Sequence, residues 1–506
     1  MNIELLDCTF RDGGYYTQWD FDTKLVEQYS YLIAKLPIKY IEIGYGNFEK
    51  KKYFGEFYYS PLKTIKRIKS KLNKSQKIVL MLDAKDYKVE NITTLFSKYI
   101  NDVTMVRIAT KPDKIKHSQN LAKALKVLGF KTAINIMYIS EINEEHTLYE
   151  DIGNMDTYVD YLYLVDSYGA IYPDELEKMI RLFQKKCNIC LGFHGHNNLE
   201  LAFINSLKAM ECGVSILDST VLGMGRGAGN LKLELLLTSL KAKYKFNVDL
   251  NSLSQLVELF TPLFDIYKWG TNLPYMVSGS YALPQKEVME AIEINRYSIA
   301  SMVNAMCTVT NDTLKPFVYN KKVDKCLIIG GGYSIEKHFD AILAYVQKNR
   351  NIIIIHSTSK YLDKFSIVKN RQLLCVAGDE LSKLDDTHSF PHIELLIFEP
   401  SPRKISINIP LQDNMVELKE IDFIKHFKDS PLAIALQTAL EMSIIRIELA
   451  GFDGYSELKS RKDLYLMHEN QEIISMFLLK RKTLTSVTKT NYKGLYQTSI
   501  YAKVDE

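Results

Sequence analysis

No uninterrupted apolar run of about 18 residues occurs in this 506-residue chain, so a membrane-spanning helix is not expected. The opening residues, Met1-Asn2-Ile3-Glu4-Leu5-Leu6-Asp7, also lack the charged start and long apolar stretch of a secretory signal. Cysteine is sparse: seven residues, an odd number scattered over a long chain, suit reduced thiols better than a disulfide framework. A soluble cytoplasmic protein is the expectation. Cys187 and Cys190 have the spacing of a redox or zinc pair, but no second pair follows, and packing is their expected role. An excess of one charge is missing too. The 64 basic and 60 acidic side chains are interspersed and leave a net charge of +4, which points to neither nucleic acid nor a membrane surface as partner.

The chain is longer than one hydrophobic core usually serves, so at least two domains are expected. In the first half, short β-branched apolar runs alternate with longer amphipathic stretches, the pattern of a parallel sheet wrapped by helices. Eight strands are predicted at Ile3 to Asp7, Tyr40 to Gly44, Lys77 to Asp83, Thr104 to Ala109, Thr132 to Tyr138, Tyr161 to Asp166, Ile189 to His194 and Ser215 to Thr220. Eight such units close a TIM (β/α)8 barrel of roughly 250 residues, ending here soon after Leu240. A helical tail from Leu250 to about Thr310 should cap the barrel or make an oligomer contact, and the first domain is set at residues 1–312. A second α/β domain, residues 322–506, opens with Cys326-Leu327-Ile328-Ile329 and continues through predicted strands at Asn351 to His356, Leu373 to Ala377, Ile393 to Phe398 and Ile444 to Leu449, with a helix at Pro431 to Met442. No Gly/Ser or Pro linker separates the two halves.

Active sites of TIM barrels lie at the carboxyl ends of the strands, and the chemistry-bearing residues gather there. In Phe193-His194-Gly195-His196-Asn197-Asn198, two histidines at i and i+2 share one face of a strand and can share one divalent ion. At the far end of the same domain, Leu6-Asp7-Cys8-Thr9-Phe10-Arg11-Asp12-Gly13-Gly14 is read as a strand delivering a cation beside a carboxylate. Asp12, His194 and His196 are the predicted ligands of Mn2+, Mg2+ or Co2+, with Asn230 a further one. Arg11 would clamp a substrate oxygen and stabilise an enolate, and Glu42 would hold Arg11 in place. The glycine-rich Gly223 to Asn230 reads equally well as a tight turn or as an anion-holding loop.

These residues make the sequence similar to the DRE-TIM metallolyase (HMGL-like) superfamily, whose Asp, Arg and Glu correspond to Asp12, Arg11 and Glu42. The likeness covers about residues 1–300. Within the superfamily it resembles the 4-hydroxy-2-oxovalerate aldolases in five ordered blocks: Asp7 to Gly14, Ile41-Glu42-Ile43-Gly44, Asp166-Ser167-Tyr168-Gly169-Ala170, His194 to Asn198 and Gly223 to Asn230. The resemblance implies a metal-dependent carbon–carbon lyase that forms or cleaves the bond between a pyruvate enolate and an aldehyde, with Ser167 contacting the 2-oxo acid's carboxylate. It further implies a homo-oligomer and a partner enzyme that consumes the aldehyde. Two positions depart from the family. Its acid/base histidine after the Arg-Asp pair corresponds here to Tyr15, or to Tyr16, and a second histidine to Tyr45. Tyr15 is therefore the candidate acid/base. The loop Gly223 to Asn230 lacks the cysteine of HMG-CoA lyases, which disfavours that branch. Two alternatives stay open: an isopropylmalate synthase-like Claisen condensation using acetyl-CoA, and a catalytically retired barrel serving as scaffold for the second domain.

In the second half, Ile328-Ile329-Gly330-Gly331-Gly332-Tyr333-Ser334 is a strand followed by glycines and a helix start, a geometry suited to phosphate. With Ala450-Gly451-Phe452-Asp453-Gly454 it resembles the Rossmann-like fold of MptE-like (DUF115) proteins and, more distantly, of sialyltransferases that use CMP-sialic acid. That resemblance implies a nucleotide or phosphate ligand at Gly330, Gly331, Gly332 and Asp453, and a link to cell-surface carbohydrate synthesis. A plain βα turn, with Asp453 as its cap, is the structural alternative.

Overall fold

The structure, a computed structural model, describes residues 3–294, 297–307, 314–378, 380, 391–401, 403, 412–455, 461–481 and 483–504. It divides into two compact units, Met1–Met289 and Glu290–Glu506. The expected domain limit at 312 and tail end at Thr310 lie outside the described residues.

The first unit is a TIM barrel. Its strands are β1 (Glu4–Asp7), β2 (Tyr40–Tyr45), β3 (Lys77–Asp83), β4 (Met105–Thr110), β5 (Lys131–Ile136), β6 (Tyr161–Asp166), β7 (Cys190–Gly195) and β8 (Ile216–Ser219). They pair in sequence order, all parallel, and β1 closes on β8 with Leu6 opposite Asp218. Every strand lies within two residues of its predicted limits. The inside of the barrel is an apolar plug that includes Leu6, Tyr40, Val79, Met105, Ala133, Tyr163 and Ile216. The outward positions pack against the ring of helices. Helices Leu250–Tyr267 and Leu273–Ser280 begin the predicted tail, each capped by the side chain before it, Asp249 and Asn272.

One local element was not predicted. The first strand ends at Asp7 as expected, and Arg11 and Asp12, which follow it, lie early in the helix Thr9–Thr17. Gly13-Gly14 would ordinarily disfavour a helix, but a Cβ at Gly14 would collide with the Trp19 indole, whose Nε1 donates to the Arg11 carbonyl (2.9 Å). Close packing against Trp19, rather than turn formation, is what requires glycine there.

The second unit holds an open parallel sheet, as expected for its α/β class. Its strands, nine among the described residues, are β9 (Lys315–Pro316), β10 (Lys325–Ile329), β11 (Ile353–His356), β12 (Gln372–Val376), β13 (Ile393–Phe398), β14 (Met415–Glu417), β15 (Arg446–Ala450), β16 (Thr485–Ser486) and β17 (Tyr496–Gln497). Their spatial order is β17-β16-β15-β10-β11-β12-β13-β14-β9, so the winding reverses between β10 and β15. Alternate side chains feed separate cores: Cys326, Ile328, Ile353 and Ile355 join one, and Leu327, Ile329 and Ile354 the other. Strands β9, β14, β16 and β17 were not predicted.

His356, at the end of β11, is fully buried, with Nε2 2.8 Å from Gln372 Oε1. Burial pushes its pKa down to about 4. Its contribution to stability is present above the unfolded pKa of 6.5 and is lost as pH falls through that window to 4. The loss amounts to about 3 kcal/mol. Thermal unfolding between pH 7 and 4 should therefore show a steeper fall for the natural chain than for His356→Gln; parallel profiles would contradict this assignment.

Candidate active site

The site is built from residues that each strand delivers to one end of the barrel. Arg11 is buried, and its Nε donates to Glu42 Oε2 on β2 (2.7 Å) while its Nη1 pairs with Asp12. The same Glu42 oxygen lies 3.1 Å from Nη1 of Arg107 on β4, an ion-pair contact without hydrogen-bond alignment. Arg107 is fully buried, stacks over Tyr163 at 4.0 Å, and donates to Asn135 (3.2 Å) and to Asp218 Oδ2 on β8 (2.5 Å). Asp218 also accepts from His194 Nδ1 (2.8 Å), and His194 Nε2 is 3.7 Å from Asp12 Oδ2. The contacts close into a ring: Arg11, Glu42, Arg107, Asp218, His194, Asp12.

Two guanidiniums in this ring face three carboxylates, so with neutral histidines it carries one buried negative charge in excess. Buried charge is expensive unless paired. Burial pushes the Asp12 and Asp218 carboxyls up, but Arg11 beside Asp12, and Arg107 with the His194 hydrogen bond beside Asp218, more than offset it and leave both below the usual carboxylate value.

His196 stands beside His194, ring centroids 5.0 Å apart. Its Nδ1 lies 2.7 Å from the Asp166 carbonyl. A carbonyl only accepts, so Nδ1 carries the proton and Nε2 has the free lone pair. Burial, then His194, lower its pKa to about 3, which keeps that lone pair available. Asn230 is brought in by a bridge between His196 and Asn230 that ties the loop after β8 to the end of β7. Its Nδ2 donates to Asp12 Oδ2 (2.6 Å), and its Oδ1 is buried with no hydrogen-bond partner. A Cβ on Gly225 would lie 2.7 Å from that amide, so the loop can approach only as glycine. A carboxylate, two imidazole Nε2 atoms and an orphaned amide oxygen form a donor set that a hard divalent ion accepts. Among the described residues, Cys8, His194 and Asp218 are the group whose donor atoms all lie within 4.8 Å of one another, a spacing that Asp12, His194 and His196 do not reach. His194 Nδ1 and Asp218 are already bonded to each other there, and burial holds the Cys8 thiol in its protonated form.

Above the ring opens a cavity of about 440 Å3 lined by Arg11, Asp12, Tyr15, Tyr45, Ser167, His194, His196 and Arg226, among others. Ser167 Oγ accepts from the Tyr138 amide (2.8 Å). Tyr15 is 40% exposed, and its hydroxyl lies 3.4 Å from that of buried Tyr45. Burial, followed by Tyr15, holds Tyr45 well above the usual phenol value. Arg11, Asp12, Glu42, His194, His196 and Asn230 thus converge, with Ser167 and Tyr15 on the cavity wall. Sequence reasoning missed Arg107, Asn135 and Asp218.

In the second unit, Gly330–Gly332 and Asp453 also come together at the sheet's reversal. The amides of Gly330 and Gly332 donate to the carbonyls of Ala450 and Gly451, and the Ser334 amide donates to Asp453 (2.8 Å). Those three donors are spent on closing the turn.

The fold and the ring together define a barrel of the DRE type. Residues 2–260 match the HMGL-like family, and the chain belongs to it. The 4-hydroxy-2-oxovalerate aldolase of Geobacillus thermodenitrificans is 29% identical over 270 residues, covering 52% of this chain and 78% of that protein. The enzyme of the same name from Pelotomaculum thermopropionicum is 29% identical over 269 residues, covering 52% and 77%. The crystal structure of the N-terminal domain of a presumed aldolase from Bacteroides vulgatus is 43% identical, with a TM-score of 0.57 over 60% of this chain and all of that one. Membership and relatives support a lyase or related enzyme. No helix among the described residues is long and apolar enough to cross a membrane.

Proposed function

We propose that the barrel forms or cleaves a carbon–carbon bond between a pyruvate enolate and an aldehyde, with a divalent metal as cofactor. The observation that carries this reading is the buried ring with one negative charge in excess beside the orphaned Asn230 oxygen. Asp12, His194, His196 and Asn230 would hold Mn2+, Mg2+ or Co2+, and such an ion supplies Lewis-acid polarisation of a 2-oxo acid. Arg11, fixed by Glu42, offers its cation to the oxygen on which enolate charge develops. Ser167 contacts the carboxylate. In the forming direction a proton leaves the pyruvate methyl carbon, that carbon bonds to the aldehyde carbon, and a proton is added to the aldehyde oxygen. Tyr45, kept protonated by its burial, and Tyr15 beside it hold that last proton. The relatives' shared name, 4-hydroxy-2-oxovalerate aldolase, supports a donor of this kind.

The test is exchange of the pyruvate methyl protons in D2O, followed by NMR, which reports enolisation without an aldehyde. Exchange should require Mn2+ or Mg2+, stop when a chelator is added, and be absent in His194→Ala. A metal-loaded protein that exchanges nothing would remove pyruvate as the donor. A chain that binds no metal at all would sink the proposal.

A further inference from the structure

The outer part of the cavity carries positive charge that the chemistry above leaves unused. Arg226 stands between Gly225 and Gly227 in the loop after β8. The loop is fixed there, because the Gly227 carbonyl accepts from the Tyr16 hydroxyl (3.2 Å) and the Gly270 amide (3.3 Å). Half-buried, Arg226 lies over the Tyr15 ring at 5.6 Å and lines the cavity. Lys111, just past β4, lines it as well, with its ammonium 5.5 Å from the Tyr138 ring centre. Lys85 and Lys114 also reach this wall, but Lys85 is 2.7 Å from Asp83, and Lys114 is 3.8 Å from Asp113. Arg226 and Lys111, among the described residues, have no carboxylate within ion-pair distance. Two uncompensated cations therefore face a cavity whose inner end bears the opposite excess. At about 440 Å3 it is in the range of pockets for drug-sized ligands, more room than pyruvate and a two-carbon aldehyde require.

We infer that the acceptor aldehyde carries an anionic group, a phosphate or a carboxylate, held by Arg226 and Lys111. This rests on the aldolase reading given above. A guanidinium pairs with either group through two parallel hydrogen bonds, and a nearby ammonium adds charge without directional demand. The anion takes no part in bond making; it positions the aldehyde carbon over the nucleophilic carbon.

The experiment compares matched acceptors with pyruvate, using the metal-loaded full chain: glycolaldehyde phosphate against glycolaldehyde, and succinic semialdehyde against butanal. The natural chain should favour at least one anionic member by about tenfold or more in kcat/KM, as expected for a hydrogen-bonded charge. Arg226→Gln should lower that ratio about tenfold, and Arg226→Gln with Lys111→Met should bring it near unity. Equal use of both members of each pair by the natural chain, or an unchanged ratio in the double variant, overturns the inference. Which pair shows the preference identifies the anion as phosphate or carboxylate. Calorimetry with glycerol 3-phosphate, succinate and glycerol supplies a readout free of turnover. Binding of an anion but not of glycerol, lost in Arg226→Gln, supports the site, and no binding by the natural chain removes it. Failed pyruvate exchange would defeat the aldolase reading separately, leaving calorimetry to decide whether these cations hold an anion.

Discussion

Arg11→Ala should lower metal-dependent deuterium exchange into pyruvate by about 10²–10³-fold, the usual cost of removing one preorganised donor from a developing oxyanion. Arg11 is suited to that duty because its position is fixed before substrate arrives. Its Nε is held by Glu42 and its Nη1 by Asp12, inside a buried setting where charge is weakly screened. Arg11→Lys should fail nearly as badly: one ammonium cannot satisfy Glu42 and Asp12 and still face a substrate oxygen. Metal content must be measured in parallel, because Arg11 is also part of what depresses the Asp12 carboxyl. A variant that keeps its metal and loses exchange places Arg11 at the reacting oxygen. Undiminished exchange in metal-loaded Arg11→Ala would remove it from the chemistry and leave it a structural partner of Glu42.

What was legible in the sequence follows from the range over which each signal acts. The barrel strands were readable because each is a compact apolar run repeated at a βα period, and a period survives without knowledge of packing. Arg11 with Asp12, and His194 with His196, were readable because each pair is adjacent or nearly so along the chain. Arg107, Asn135 and Asp218 were not, since each stands alone and gains its meaning only when barrel closure sets Arg107 beside a residue 111 positions later. A signal existed: in Met105-Val106-Arg107-Ile108 and Ile216-Leu217-Asp218, a charge occupies the inward alternation of a buried strand. The helix at Arg11 escaped because local propensity at Gly13-Gly14 is overridden by the Trp19 ring. Strands β9, β16 and β17 are two residues long and β14 only three, too short to show a period, and Pro316 is tolerated because β9 is an edge.

The largest effect on stability should come from Arg107, which touches no cavity wall. Arg107→Met should destabilise the first unit by about 3–5 kcal/mol, the range for removing one partner from a buried ion pair. Methionine fills much of the volume, so a cavity is not the cause. The loss arises because Glu42 and Asp218 would remain buried with fewer cations: three carboxylates of the ring would face Arg11 alone. The exposed pair Arg181–Glu177, 3.6 Å apart on one helix, gives the contrast, since Arg181→Ala should cost less than about 1 kcal/mol. Urea unfolding of both variants measures the difference directly. The same substitution should weaken metal binding, because Asp218 fixes the His194 imidazole through Nδ1 and Arg107 fixes Asp218. Adding Mn2+ should then restore part of the lost stability, as the ion supplies positive charge to a ring that has become more negative. An Arg107→Met protein as stable as the natural chain would mean that water or protonation already neutralises the ring, and the excess charge could no longer be taken as the signature of a metal site.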